Sequence, residues 1–388
     1  MKLLMLNSEY PPLGGGQGNA NKAMMSEFAK TDIQIDLITA SSGKKHKEIN
    51  GNIRLFFLNI GKEEKNFLFQ SSKELITYSI KAFRFATKLI KQATAKNSKY
   101  DAIVAWSGVP AGFIAMMLSF IFRIPYVVLL RGADVPFYDK RWAKLDKFVF
   151  RFLSPYIWKK SLLTIANSQS LRELAYKTYR KKKIDLIYNG IDLERYTNKS
   201  DIKMTPMQII AVGRLNKIKG FDLLIQAVAG LKVPCQLVIA GDGPEKENLE
   251  NLARMLGVES KVILLGRLEK EQLISFYQES SVFCMSSYNE GMSNAMLEAI
   301  ACGLPVVTTQ VGGAAELVKG NGVIVPCGDS FALQSALETL LADSQRLKQC
   351  SERSLQIASE FSWEIIANNF INLLQSALGK YNQTDTLK

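Results

Sequence analysis

Histidine is nearly absent from this chain. One residue, His46, stands among 388, in the polar stretch SSGKKHKE. A Ser-His-Asp triad or a histidine-based zinc site finds little material here. Cysteine is sparse as well. Cys235, Cys284, Cys302, Cys327 and Cys350 form no CxxC pair, and several lie in apolar stretches. That argues against a disulfide frame and predicts reduced, buried thiols of a cytoplasmic protein. Neither half has GxGxxG after its first strand-like segment, and PPLGGGQGN is not a Walker A loop. No signal peptide is expected, because the apolar run in MKLLMLNSEYPPLGGG is only about four residues long. The longest apolar stretch, 109–130, has the length of a bilayer span. Arg123 and Pro125 break it into a helix and a following strand.

Acidic residues are scarce in the first half alone. In residues 1–190, 31 Lys+Arg less 14 Asp+Glu gives +17; in 191–388, 18 less 22 gives −4. So basic a half implies an anionic partner, a membrane surface or a nucleic acid.

What is present is an alternation of strands and helices. KLLMLN, IDLITA, IRLFFL, DAIVAW, PYVVLL and SLLTIANS read as strands. Helices are expected from about Asn19 to Lys30, over 73–95, near 111–122 and over 169–179. A polar stretch, 188–207, is the candidate linker. A second alternation follows it: QIIAVGRL, CQLVIAGDG, KVILLGRL, SVFCMSS, PVVTT and GVIVP as strands, with helical segments between. The tail from 361 reads as an amphipathic helix. The pattern predicts two Rossmann-like, doubly wound parallel-sheet domains in series. Ligands of such sheets bind at the carboxyl ends of the strands. GGG (14–16), RGADV (131–135), GRLNKIKG (213–220), GDGP (241–244) and YNEGMS (288–293) all fall there, and two facing domains would set them around one cleft.

The segment YNEGMSNAMLEAIACGLPVV holds an apolar helix, N-capped by Ser293 and stopped by Gly303 and Pro305. Its one charge is Glu298, with no basic residue three or four positions away. An unpaired buried carboxylate is costly. Glu298 therefore reaches solvent, pairs with a distant residue, or binds a ligand hydroxyl such as a ribose. Arg214 and Lys219 at a strand-to-helix turn suit a diphosphate, although an ordinary surface loop would look the same. The glycine loop at 14–16 lets backbone approach a ligand closely. Together these loops suggest a nucleoside diphosphate held mainly by the second domain.

NGID (189–192), VGRLNKIKG, AGDGP, EGMSNAMLE, AIACGLPVV and GGAAELV occur in that order, after a first domain with its glycine loop, RGADV and NSQSLRE. In these motifs, along almost its whole length, the chain resembles the retaining glycosyltransferases of family 4. The resemblance implies a GT-B fold: an acceptor-side domain (1–190), a linker (191–206), a donor domain (207–361), and a C-terminal helix (362–388) returning to the first. It implies that Arg214 and Lys219 bind the donor diphosphate and that Glu290 faces the sugar. Glu298 would bind the ribose, and the amides of Gly291 and Met292 would contact sugar or phosphate. Gly15 and Gly16 would approach the diphosphate. Gly213, Gly241, Gly243, Arg267, Ser293 and Asn294 complete the donor-side set. No metal or other cofactor is implied, since cations and helix-end amides replace it.

One departure stands out: many members carry histidine where this chain has Arg131. That residue either anchors phosphate or acceptor, oriented by Asp134, or forms a structural pair with it. The expected activity is transfer of a sugar, from a UDP-sugar by preference, to a glycan or lipid-linked acceptor in cell-surface polysaccharide or glycolipid synthesis. A sugar phosphorylase or sucrose-type synthase is the nearest alternative. Nucleic-acid binding would leave the loop motifs unexplained, and a dehydrogenase would lack its glycine fingerprint. Basic-aromatic segments at 73–99 and 140–160 suit an anionic lipid interface, or else a solvated basic face. The expected location is cytoplasmic, peripheral on the inner face of the membrane.

Overall fold

The structure, a computed structural model, describes residues 1–43, 46–62, 70–132, 134–138, 150–196 and 207–385. The chain divides into two compact units, Met1–Tyr188 with Trp363–Lys388, and Asn189–Ser362. The first comprises β1 (Lys2–Leu6), α1 (Gly16–Phe28), β2 (Gln34–Ser41), β3 (His46–Asn50), β4 (Ile53–Asn59), α2 (Ser72–Ala95), β5 (Ala102–Ala105), α3 (Phe113–Phe122), β6 (Tyr126–Leu130), α4 (Arg151–Lys160), β7 (Leu163–Ala166), α5 (Gln169–Thr178) and β8 (Asp185–Leu186). Its sheet runs β3-β4-β2-β1-β5-β6-β7-β8. All neighbours are parallel except β3 and β4. Central strands such as YVVLL are buried along their whole length, because helices cover both faces of a parallel sheet.

The second unit comprises α6 (Leu193–Tyr196), β9 (Met207–Val212), α7 (Phe221–Ala229), β10 (Cys235–Ala240), α8 (Lys246–Met255), β11 (Val262–Gly266), α9 (Lys270–Gln278), β12 (Val282–Met285), α10 (Asn294–Ala301), β13 (Val306–Thr309), α11 (Ala314–Leu317), β14 (Gly322–Val325), α12 (Ser330–Leu341) and α13 (Ser344–Ser359). Its sheet is wholly parallel, in the order β11-β10-β9-β12-β13-β14. The last helix, α14 (Trp363–Asp385), belongs to the first unit, where Ile366, Phe370 and Leu374 pack with Met24 and Phe28 of α1.

In each sheet the first strand has neighbours on both sides that lead the chain in opposite directions. β1 lies between β2 and β5, and β9 between β10 and β12. At such a switch point the flanking connections part and leave a crevice at the carboxyl ends.

Several elements differ from the sequence expectation. Helix α1 begins at Gly16, inside the glycine loop, with Gly15 as its N-cap. Part of the expected linker is helix α6, whose Tyr196 is buried; residues 197–206 lie outside the described residues. The apolar stretch 109–130 divides as expected. Arg123 ends α3 in the left-handed region at φ 55, and β6 follows Pro125. Among the described residues no helix is long and apolar enough to cross a membrane.

Candidate functional site

At the carboxyl end of the second sheet the loops are stitched together by their backbones. Gly213 donates to Ala240 at 3.0 Å, Leu215 to Asp242 at 3.0 Å, and Gly241 to Gly266 at 2.8 Å. Tyr288 donates to Ile218 at 2.7 Å, and Gly313 to Gly291 at 2.7 Å. The glycines make this possible. A side chain on Gly241 would collide with the carbonyl of Gly213, and one on Gly220, at φ +60, with that of Ser286. Gly213, Gly241, Gly243, Arg214 and Arg267 thus stand on one row of loops, with Arg214 and Arg267 exposed.

Across the switch point Lys219 meets Glu290 in an ion pair, both side chains about one-fifth exposed. The stem of Lys219 crosses Gly213, and Ser286 holds the Lys219 carbonyl at 3.1 Å. A diphosphate and this carboxylate would compete for the same ammonium group.

Just beyond Glu290, Gly291, Met292 and Ser293 are buried. Ser293 Oγ accepts from the Met296 amide at 3.3 Å and caps α10. Asn294 Oδ1 accepts from Asn189 Nδ2 at 2.9 Å, which ties the NGID motif to the same helix start. Glu298 lies one turn on and is part-buried. It has partners that its own helix could not show: the hydroxyl of Tyr277 donates to Oε2 at 3.1 Å, and Tyr196 forms a second side-chain hydrogen bond. Burial raises the Glu298 carboxyl above its usual range; these two hydrogen bonds and the charge of Lys270 oppose the rise. Burial and the carboxylate likewise push both tyrosines up, so each remains a donor at neutral pH. Two nearby polar atoms, Asn216 Oδ1 and Ser287 Oγ, are buried without a hydrogen-bond partner. Such groups are costly in a finished interior.

The first unit has a comparable rim. A side chain on Gly14, at φ +89, would meet Glu9 Oε2 at 2.6 Å. Gly15 and Gly16 then open α1, whose first turn carries no acidic residue and no capping side chain. Gln17 Nε2 donates to Asn7 Oδ1 and to the Trp106 carbonyl, each at 2.8 Å, joining the ends of β1 and β5. Asp134 receives the amides of Gly108 at 2.7 Å, Arg131 at 2.9 Å and Gly132 at 2.8 Å. Its two oxygens organise the loop after β6 against the loop after β5. Burial pushes the Asp134 carboxyl up against these bonds. The Arg131 guanidinium lies 4.3 Å from the Trp106 ring centre. Burial lowers its pKa to about 10, and Asp134 opposes that shift.

The sequence reading missed Tyr196, Tyr277, Asn7, Gln17 and Trp106. Only Asn7, a polar residue closing an apolar strand, carried a local signal. The tyrosines meet Glu298 from far along the chain.

Comparison with known proteins bears on the family and the fold. Residues 14–195 match the family Glycosyltransferase Family 4, and residues 192–356 match Glycosyl transferases group 1. An N-acetylgalactosamine-N,N'-diacetylbacillosaminyl-diphospho-undecaprenol 4-alpha-N-acetylgalactosaminyltransferase of Campylobacter jejuni is 33% identical over 236 residues, 59% of this chain and 64% of that one. A sucrose-phosphate synthase of Thermosynechococcus elongatus superposes with TM-score 0.82 at 20% identity, over 100% of both chains. The Anabaena protein HepE, solved in complex with UDP-glucose, superposes with TM-score 0.74 at 22% identity, over 97% of this chain and 100% of that one. Two parallel-sheet units of this topology, with both family matches in sequence along them, identify the chain as a GT-B glycosyltransferase belonging to glycosyltransferase family 4.

Proposed function

We propose that the protein moves a sugar from a nucleoside-diphosphate sugar, a UDP-sugar by preference, to a glycan or lipid-linked acceptor, with retention of anomeric configuration. The observation that carries this reading is the Lys219–Glu290 pair at the switch point of the second sheet, with Glu290 eight residues before Glu298 in the loop that leads into α10. When the donor binds, Lys219 turns to the diphosphate beside Arg214. Glu290 is released to the sugar hydroxyls, and Glu298 accepts from the ribose. The amides at the start of α10 face the same negative charge. The acceptor hydroxyl forms its bond to the anomeric carbon on the face from which the diphosphate leaves. Its proton passes to the departing phosphate oxygen. Arg214, Lys219 and the amides stabilise the charge that grows there. The chemistry requires no metal or other cofactor, so activity is expected to survive chelation.

UDP is supported by the complex of HepE, and a lipid-linked acceptor by the diphospho-undecaprenol named for the Campylobacter relative. The basic first half suits work at the cytoplasmic face of a membrane carrying that acceptor. The test is incubation with UDP-, GDP- and ADP-sugars and a polyprenyl-diphosphate acceptor, with the product's anomeric configuration read by NMR. An inverted product, or no transfer from any donor, would refute the proposal. The full-length superposition on a sucrose-phosphate synthase keeps one second reading open. Formation of a sucrose phosphate from UDP-glucose would select it.

A further inference from the structure

Helix α3 of the first unit, FIAMMLSFIF, has no charged residue and is apolar on every side. A helix of that kind is normally buried all round. This one is buried on one face only, where Ile114, Ala115 and Leu118 pack against the sheet at 0–2% exposure. Its opposite face carries Phe113, Met117, Phe120 and Ile121 at 37%, 38%, 89% and 53% exposure. Their spacing is i, i+4, i+7, i+8, a single stripe along the helix.

The neighbouring helices expose apolar residues as well. Helix α2, which packs beside α3, exposes Ile76 and Ile80 one turn apart. Helix α4, on which α3 also packs, exposes Phe152 and Tyr156 one turn apart. Cations frame this surface. Lys73, Arg84 and Lys88 share the α2 stripe with the two isoleucines, Arg123 closes α3, and Lys159 and Lys160 end α4; all are exposed. The only acidic residue on the three helices is Glu74, paired with Lys62.

We propose that the outer faces of α2, α3 and α4 form a membrane-docking surface. The α3 stripe enters the headgroup–acyl boundary of an anionic bilayer, while the cations of α2 and α4 rest on lipid phosphates. This rests on the reading of a membrane-associated transferase and deepens it: the bilayer is held by apolar insertion as well as by charge. An apolar centre framed by cations complements an anionic surface over a hydrocarbon interior. A second copy of the chain fits less well, since self-association would set two cationic frames against each other. The ten-residue α3 is about 15 Å long, half the hydrocarbon thickness, so it lies in the interface and does not span it.

The test is sedimentation of the full chain with vesicles of phosphatidylcholine and phosphatidylglycerol across a salt series. Wild-type protein is expected to bind at low salt and to keep a salt-resistant remainder. Phe120→Ser with Ile121→Ser is expected to lose that remainder and to weaken partitioning about tenfold or more. Arg84→Gln with Lys88→Gln is expected to lose mainly the salt-sensitive part. Thermal stabilisation by nucleoside diphosphates is expected to be unchanged in both variants, which separates a folding defect, or a failure of the transferase reading, from a failure of docking. Serine variants that sediment with vesicles like wild type would overturn the proposal. So would wild-type protein that ignores anionic vesicles, or that forms a dimer abolished by the serine substitutions.

Discussion

Glu298 is costly to the fold at neutral pH, and that cost has a measurable sign. Burial sets its folded pKa above the unfolded value, so the native state holds its proton to higher pH than the unfolded chain. Stability from this group is therefore greatest below the ordinary carboxyl range and declines as pH rises towards its own raised value. Glu298→Gln, which cannot ionise, is expected to gain stability relative to wild type progressively as pH rises above the ordinary carboxyl range, while losing affinity for the donor nucleotide. Paired thermal melts across a pH series check the first expectation, and nucleotide titrations the second. The two tyrosine donors give the carboxylate its orientation; Tyr277→Phe is the matching control. For Lys219 and Glu290 the expectation concerns coupling. Lys219→Ala is expected to lower kcat by roughly 10²–10³, the scale of losing one charged stabiliser. Adding Glu290→Gln to it is expected to cost much less than the two single losses combined, because each residue acts through the other. Fully additive losses would show that the pair does not act as a unit.

Among the elements, the loop after β6 carries the departure from the family pattern. Asp134 holds three amides there, so Asp134→Asn is expected to cost about 1–3 kcal/mol of stability. Arg131→Ala leaves those amides in place. It is expected to lower turnover with little change in melting temperature if Arg131 anchors phosphate or acceptor. Unchanged turnover would make it a packing residue over Trp106.

Elements also differ in how far the sequence declares them. Buried parallel strands such as KLLML and YVVLL are plain apolar runs, and Ser293, Gly303 and Pro305 punctuate α10 locally. Strand β3, HKEIN, is polar and exposed along its whole length. It is a strand only because β4 offers it an edge, and no periodicity announces that. Helices α12 and α13 went unanticipated, although Asp329 and Asp343 cap them. Positions 290–298 are legible as a candidate site because a lone carboxylate in an apolar helix needs a reason. The partners supplying part of that reason, Tyr277 and Tyr196, arrive by tertiary folding that spacing does not encode.

For the whole molecule, the contrast between a strongly basic first half and a mildly acidic second half matches a division of labour. In the proposed function one unit would face an anionic acceptor surface, and the other would bind the donor through a few placed cations. The central claim, that a nucleoside diphosphate is held with its ribose on Glu298, is tested most directly by thermal stabilisation. Wild-type protein and Glu298→Ala would be melted with UDP, GDP, ADP, CMP and NAD. At a hundredfold excess over Kd, a ligand of the native state adds about 2.7 kcal/mol. The predicted result is clear stabilisation of the wild type by one nucleoside diphosphate, UDP foremost, most of it lost in Glu298→Ala. Stabilisation by NAD alone, or equal stabilisation of both proteins by UDP, would contradict the account.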